Sequence, residues 1–189
     1  MEENYIALST LNDYIFCPYS IYLHNIYMEA DEGLYHATPQ TQGRIAHDAI
    51  DHKRSSTRKH DLMALAVKSD KLGIIGKIDI YKGDEHHLIE RKYQLKQIFR
   101  GQQYQLWGEY FCMKEMGYEV DKISFYEIST NTIIPQPIPG DDEFNELSHF
   151  VEQFKVYNPA DPITTNPNKC SHCIYNPLCE KTEIENVYQ

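Results

Sequence analysis

No apolar run in this sequence approaches the roughly 20 residues that cross a bilayer, so no membrane-spanning helix is expected. The opening residues, MEENYIALST, are acidic and lack the basic start and apolar stretch of a secretory signal. The expectation is a soluble, intracellular, cytoplasmic protein with no membrane partner. No internal repeat and no low-complexity segment is present, which sets aside repeat arrays and disordered tracts. Positive charge is scarce: 18 Lys and Arg face 28 Asp and Glu, for a formal net charge of −10. A protein that bound DNA tightly and unaided would be basic, because affinity comes largely from neutralised phosphates. Either DNA is not the substrate, or positive charge is local and partners supply the rest. A paired set of cysteines is also missing. Cys17, Cys112, Cys170, Cys173 and Cys179 make an odd number, and in a reducing compartment they are not expected to form a disulfide framework.

What is present points to one folded domain, residues 1–189. A chain of 189 residues can bury one proper core, and 41% hydrophobic content is ordinary for a globular protein. The 15 tyrosines offer flat surfaces that could stack on bases, although most are read as core and rim fillers.

The pattern along the chain is mixed. Thr10 to Asp13 reads as a capping box opening a first helix, with Leu11, Tyr14 and Ile15 on its apolar face. Pro18 interrupts or restarts that helix, which continues through SIYLHNIY. After a loop at 28–37, Thr38 and Pro39 start a second helix running through GRIAHDAIDH. The period then changes. LMALAVKS and KLGIIGKIDIYKG read as strands forming an antiparallel hairpin, with Gly76 as a bulge. Gly83-Asp84 marks a turn before a third strand, HHLIERKY. Phe99 to Met116 is helical, capped by Gly117. DKISFYEIS is a fourth strand, and the strand–helix–strand passage from 86 to 128 predicts a parallel pair. TIIPQPI reads as a short edge strand limited by Pro135 and Pro137. DDEFNELSHFVEQF is an amphipathic helix with acids in its first turn. A proline-rich loop, NPADPITTNP, leads to the last cysteines. These elements predict an α/β domain: a central mixed sheet flanked by helices.

The chemistry concentrates in GKIDI and LIERKY. Glu90 and Lys92 are two apart on a strand and so share a face, with Asp79 on the neighbouring strand. Two converging carboxylates repel and call for a cation; Mg²⁺ or Mn²⁺ prefers such oxygen ligands. An ion there can polarise a phosphodiester and acidify a water, with Lys92 stabilising charge at phosphorus. The competing reading is a solvated edge strand carrying incidental charges. His47, in GRIAHDAID, could add an imidazole ligand. Gln105, between Tyr104 and Tyr110 on the following helix, could orient Lys92 or touch a phosphate. Lys96, Arg100 and Tyr104 border this site and are candidate DNA contacts. Lys53, Arg54, Arg58, Lys59 and His60 form a basic run, read either as a DNA or partner contact or as a solvated helix end.

The cysteines form a second constellation. Cys170, Cys173 and Cys179 read C-x-x-C-x5-C, and Cys17 can supply a fourth ligand from the other end. The two ligand-bearing parts cover about 9–27 and 165–182. Four thiolates suit zinc or an iron–sulfur cluster equally. Cys112, inside the long helix, reads as a buried free thiol.

The ordered set, from Cys17 through His47, G-x-I-D, E-x-K and Gln105 to C-x-x-C-x5-C, resembles the CRISPR-associated RecB-like exonucleases, the fourth numbered family of CRISPR-associated proteins. The resemblance spans about Tyr5 to Glu180, and the passages LNDYIFCPYSIYLHNIY and YQLWGEYFCMKEMGY are similar to a branch associated with single-effector (type V) systems. It implies a RecB-like nuclease core of the PD-(D/E)xK type. His47, Asp79, Glu90 and the backbone carbonyl of Arg91 would bind the metal, and Lys92 would be the catalytic lysine. It also implies a 4Fe–4S cluster on Cys17, Cys170, Cys173 and Cys179. Gln105 would match the glutamine of the family's Q-x-x-x-Y motif, but Glu109 stands where the tyrosine is expected, with Tyr110 next. The implied activity is trimming of the single-stranded ends of prespacer DNA, together with the CRISPR integrase and its small partner subunit. The alternative is a nuclease-fold module that recognises the protospacer-adjacent motif and cuts little by itself.

Overall fold

The computed structural model describes residues 5–27 and 60–182. The predicted helix beginning at Thr38, and with it His47, lies outside the described residues, as do Lys53, Arg54, Arg58 and Lys59.

The strands are β1 (Ile6–Ala7), β2 (Asp61–Ser69), β3 (Ile74–Lys82), β4 (His87–Lys92), β5 (Lys122–Glu127) and β6 (Thr132–Gln136). The helices are α1 (Thr10–Phe16), α2 (Pro18–Tyr27), α3 (Arg100–Glu115), α4 (Asp141–Val156) and the single turn α5 (Pro167–Cys170). All six strands join one mixed sheet. β2 runs antiparallel along one side of β3; β1 (parallel) and β4 (antiparallel) share its other side. β5 lies parallel to β4, and β6 closes the edge antiparallel to β5. The expected antiparallel hairpin and the expected parallel pair are both present. β1 was not expected; two residues carry too little periodicity to be read as a strand.

Helices α1, α3 and α4 and the sheet share one apolar core, in which Leu11, Ile74, Ile78, Leu88, Met113, Phe125 and Leu147 are almost fully buried. Leu8 sits at its centre. A side chain at Gly76 or at Gly108 would come within 2.8 Å or 2.4 Å of it, so both positions must be bare. This corrects the expected bulge at Gly76, which pairs regularly with Val67. Glycine is there because Leu8 packs on it.

Local signals mostly act as read. Met116 ends α3, and Gly117 follows at φ +90°. The Tyr118 and Gly117 amides return to the carbonyls of Met113 and Lys114, closing the helix with paired bonds. The Thr10 capping box does not form. Ser9 is the cap residue, and the Thr10 hydroxyl donates instead to the Ala7 carbonyl at 2.7 Å, because β1 runs straight into α1. Among the described residues, no helix is long and apolar enough to cross a membrane.

Candidate active site

Strands β3 and β4 part at the place where the candidate residues stand. Their ladder stops at the pair Ile80–Ile89. Two residues further along β4, the Arg91 amide donates to the side chain of Asp79, to Oδ2 at 2.7 Å. Asp79 and Glu90 therefore lie across from each other at the mouth of the gap. On β4, Glu90 and Lys92 share a face, as the strand period requires.

Helix α3 crosses that face and completes the cluster. Lys92 Nζ donates to Glu90 Oε1 at 2.8 Å and to Gln105 Oε1 at 2.9 Å. Gln105 Nε2 donates to the same Glu90 oxygen at 2.7 Å and to Glu109 Oε1 at 3.2 Å. Asp79, Glu90 and Glu109 are only 6%, 1% and 0% exposed, so three carboxyl groups are buried around one ammonium. Burial pulls the Lys92 amine down, but Glu90, Glu109 and Asp79 outweigh it and hold the amine above its ordinary value. Burial pushes the Glu109 carboxyl well above its ordinary range, and the charges on Glu90 and Asp79 push it further. Its Oε2 finds no partner among the described residues. Hard oxygen donors of this kind suit a divalent cation by their chemistry, while among the described residues no three His, Cys, Asp or Glu side chains here stand close enough together to hold one as placed.

Asp13 and Arg91 border the cluster, whereas Arg100 and Tyr104 turn to α4 and His60 to Asp84. Asp13 on α1 was read as part of a cap; instead its carboxyl lies close enough to Lys92 and His24 to feel both. Burial raises it, and those two neighbours pull it back. Arg91 contributes its amide to Asp79, and its guanidinium lies 5.7 Å from the centre of the Tyr126 ring. Arg100 and Tyr104 both bond to Glu146 of α4, and the Arg100 guanidinium covers the Tyr104 and Trp107 rings. Lys96 is exposed. Of the basic run only His60 is described, and it bonds to Asp84 at 2.6 Å. Asp13, Glu109 and Glu146 were not singled out as site residues from sequence. Only Glu109 carried a signal, its place one helical turn beyond Gln105.

The four candidate cluster cysteines meet in a second place. Cys17 ends α1, Cys170 ends α5, and Cys173 and Cys179 follow in the C-terminal loops. All four line one cavity of about 230 Å³. Water occupies about 30 Å³ of liquid, so this cavity has room for a group larger than one small ion. Among the described residues, no three His, Cys, Asp or Glu side chains close in tightly enough to hold one metal ion as placed. Burial raises the Cys173 and Cys179 thiols, and the neighbouring cysteines add to it. Cys112 is buried and free, as expected, with its thiol pushed up by burial.

The two ends are also joined without sulfur. Tyr19, Leu23 and Tyr175 form a small apolar cluster with Ile163 and Ile174. Tyr19 donates to Glu180 at 2.9 Å, His24 Nδ1 pairs with the Tyr175 hydroxyl at 2.7 Å, and Lys169 donates to the Ile15 carbonyl at 3.0 Å.

No protein-family description matches the chain, and no curated protein does. Among solved structures it is similar to a chain described as SSO0001, with 18% identity, a TM-score of 0.61, and 96% of this chain and 88% of that chain covered. At that identity the likeness carries the fold: a mixed sheet flanked by helices.

Proposed function

We propose that this chain is a divalent-metal-dependent deoxyribonuclease with a RecB-like core that trims the single-stranded ends of prespacer DNA. It would act in CRISPR spacer acquisition, in company with the integrase and its small partner. The observation that carries the activity is the Asp79–Glu90–Lys92–Gln105 cluster at the parting of β3 and β4. The ordered motif set supports the biological setting, and the four cysteines around one cavity support a 4Fe–4S cluster.

Asp79 and Glu90 would hold Mn²⁺ or Mg²⁺, with His47 and the Arg91 carbonyl completing the set. The bound ion supplies Lewis acidity toward the phosphate and acidifies a water. The chain's own residues do the rest. Lys92 keeps its proton at Nζ and offers a positive charge where negative charge develops on the phosphorus oxygens. Gln105 fixes that amine by accepting from it, while its own amide hydrogens hold Glu90 in place. The sheet and α3 keep Asp79, Glu90 and Glu109 buried on one side of the site. Lys96, Arg100 and Tyr104 are proposed to guide the strand. Glu146 must then release Arg100 and Tyr104 when DNA arrives.

The test is cleavage of single- and double-stranded DNA with Mn²⁺ by protein purified without oxygen. Wild type is expected to cut single-stranded ends. Lys92→Ala is expected to lose at least about 100-fold, in line with removal of one transition-state donor, with circular dichroism unchanged. Wild-type-like cutting by that variant sinks the mechanism. A folded, metal-loaded wild type that cuts neither alone nor with the integrase makes the recognition-module alternative the better reading. For the cluster, a brown protein with about four irons per chain is expected; a colourless protein carrying one zinc rules it out.

A further inference from the structure

Counted from Ile74 and Ile78, strand alternation turns Asp79 away from the site; counted from Tyr81, it turns Asp79 toward it, and the chain contains a device that joins the two phases. Along β3 the buried positions are Ile74 and Ile78, then Asp79 and Tyr81. Ile78 and Asp79 are adjacent, yet both are buried, and Ile78 and Tyr81 belong to the same core. The inward phase therefore slips by one residue between Ile78 and Asp79. A regular strand allows no such slip, because neighbouring side chains point to opposite faces.

The partner strand slips at the same level. Leu65 and Val67 pack on the core, and so does Leu62, three residues before Leu65. Every residue of β2 pairs with β3 except one. Met63 pairs with Ile80 and Leu65 with Ile78, but the intervening Ala64–Asp79 pair is missing. Register is the same on both sides, so no extra residue has been inserted. Ala64 instead has φ +52°, in the left-handed region. An L-residue with a side chain enters that region only against steric resistance. The turn at Ala64 lets both strands change face together. Below it Leu62 faces Tyr81; above it Leu65 faces Ile78. Asp79, at the level of the turn, comes to lie with Tyr81, Leu88 and Glu90.

We infer that Ala64 is a positioning residue whose left-handed backbone turns Asp79 toward Glu90 and Lys92. Its consequence for metal binding rests on the nuclease reading, whereas the turn itself does not. The Arg91 amide reports on it directly, since Asp79 Oδ2 is its acceptor. Side chains differ sharply in their tolerance of a left-handed backbone: glycine and asparagine accept it, and a β-branched valine resists it. This ordering separates a conformational role from simple packing, because asparagine is larger than alanine and still permitted.

The experiment uses the full chain with Ala64→Gly, Ala64→Asn and Ala64→Val, and Ala66→Val as the control. Ala66 is exposed on the same strand and pairs regularly with Lys77. Hydrogen exchange of the Arg91 amide is measured in metal-free protein, and Mn²⁺ affinity by titration. Gly and Asn at 64 are expected to keep Arg91 protected and to bind Mn²⁺ within about 2-fold of wild type. Val at 64 is expected to speed Arg91 exchange and weaken Mn²⁺ by about 10-fold or more, while Ala66→Val changes neither. Loss of protection in the Gly and Asn variants, or full protection in Ala64→Val, overturns the inference. If Ala64→Val does not fold, the Gly and Asn variants decide it alone. A wild type that binds no Mn²⁺ at all removes the nuclease reading, and the Arg91 measurement still tests Ala64.

Discussion

Glu109 is the residue at which this chain most plainly departs from the motif expected of the proposed family. It fills the place where an aromatic hydroxyl was expected, and it does so fully buried, one bond from Gln105. A carboxyl raised by burial is destabilising when ionised. The unfolded chain gives up the proton near the ordinary value of 4.5, while the folded chain keeps it to higher pH. Between those two pH values the folded state binds more protons, so stability falls as pH rises. Glu109→Gln keeps an acceptor for Gln105 and removes the titration. Melts of metal-free protein should show the wild type losing stability relative to Glu109→Gln as pH climbs above 4.5. A constant difference across pH would mean that Glu109 is not held protonated. Glu109→Leu should instead cost about 1–3 kcal/mol, since it strands a buried amide hydrogen of Gln105.

At this scale the sequence was informative where local rules hold. Glu90 and Lys92 could be placed on one face from their spacing alone. The meeting of Asp79 with Glu90 was legible from the hairpin, but the turn at Ala64 was not, since nothing in LMALAVKS announces a left-handed alanine. Asp13 was equally hidden, because a carboxylate three residues into a helix looks like a cap until the strand behind it takes the Thr10 hydroxyl.

At the scale of elements, hydrophobic period located five of the six strands and the described helices α1 to α4. It failed on β1, which exists only because Ile6 and Ala7 find the edge of β3 that β4 leaves open. The cysteines were legible as a candidate ligand set, but the contacts around them were not. Tyr19, Leu23 and Tyr175 are scattered aromatic and aliphatic residues with no shared period, and only the fold brings them together. They bear on what is expected if the proposed cluster is removed. Cys17→Ala should lower the melting temperature more than Cys112→Ala, because metal binding adds directly to folding free energy. The C-terminal segment should nevertheless stay partly docked on α2 through its apolar and hydrogen-bonded contacts. Limited proteolysis of the two variants, followed by mass spectrometry, tests both statements. Equal melting temperatures would mean that Cys17 is not a ligand.

Over the whole molecule, charge sets the terms of any encounter with DNA. The chain carries a net −10, and Arg100, an expected DNA contact, is paired with Glu146. Few phosphates can be engaged by such a surface. Binding of the isolated protein to single-stranded DNA should therefore be weak and only mildly salt-dependent. A log–log slope no steeper than about −2 corresponds to about three phosphate contacts. Fluorescence anisotropy across a salt series measures it, and a slope near −5 would contradict the charge argument. Addition of a basic partner should steepen the slope.

The nesting of Leu8 between two glycines has a reach beyond the core. Gly108 lies one turn along α3 from Gln105, so the thickness of the layer there fixes how far the amide must stretch to touch Glu90 and Lys92. Gly108→Ala would wedge the layers apart at a cost of about 1–3 kcal/mol and lengthen those bonds. Calorimetry together with a cleavage assay would register both losses at once. The clearance across which this protein would do its chemistry is thus gauged by a leucine that never meets the substrate.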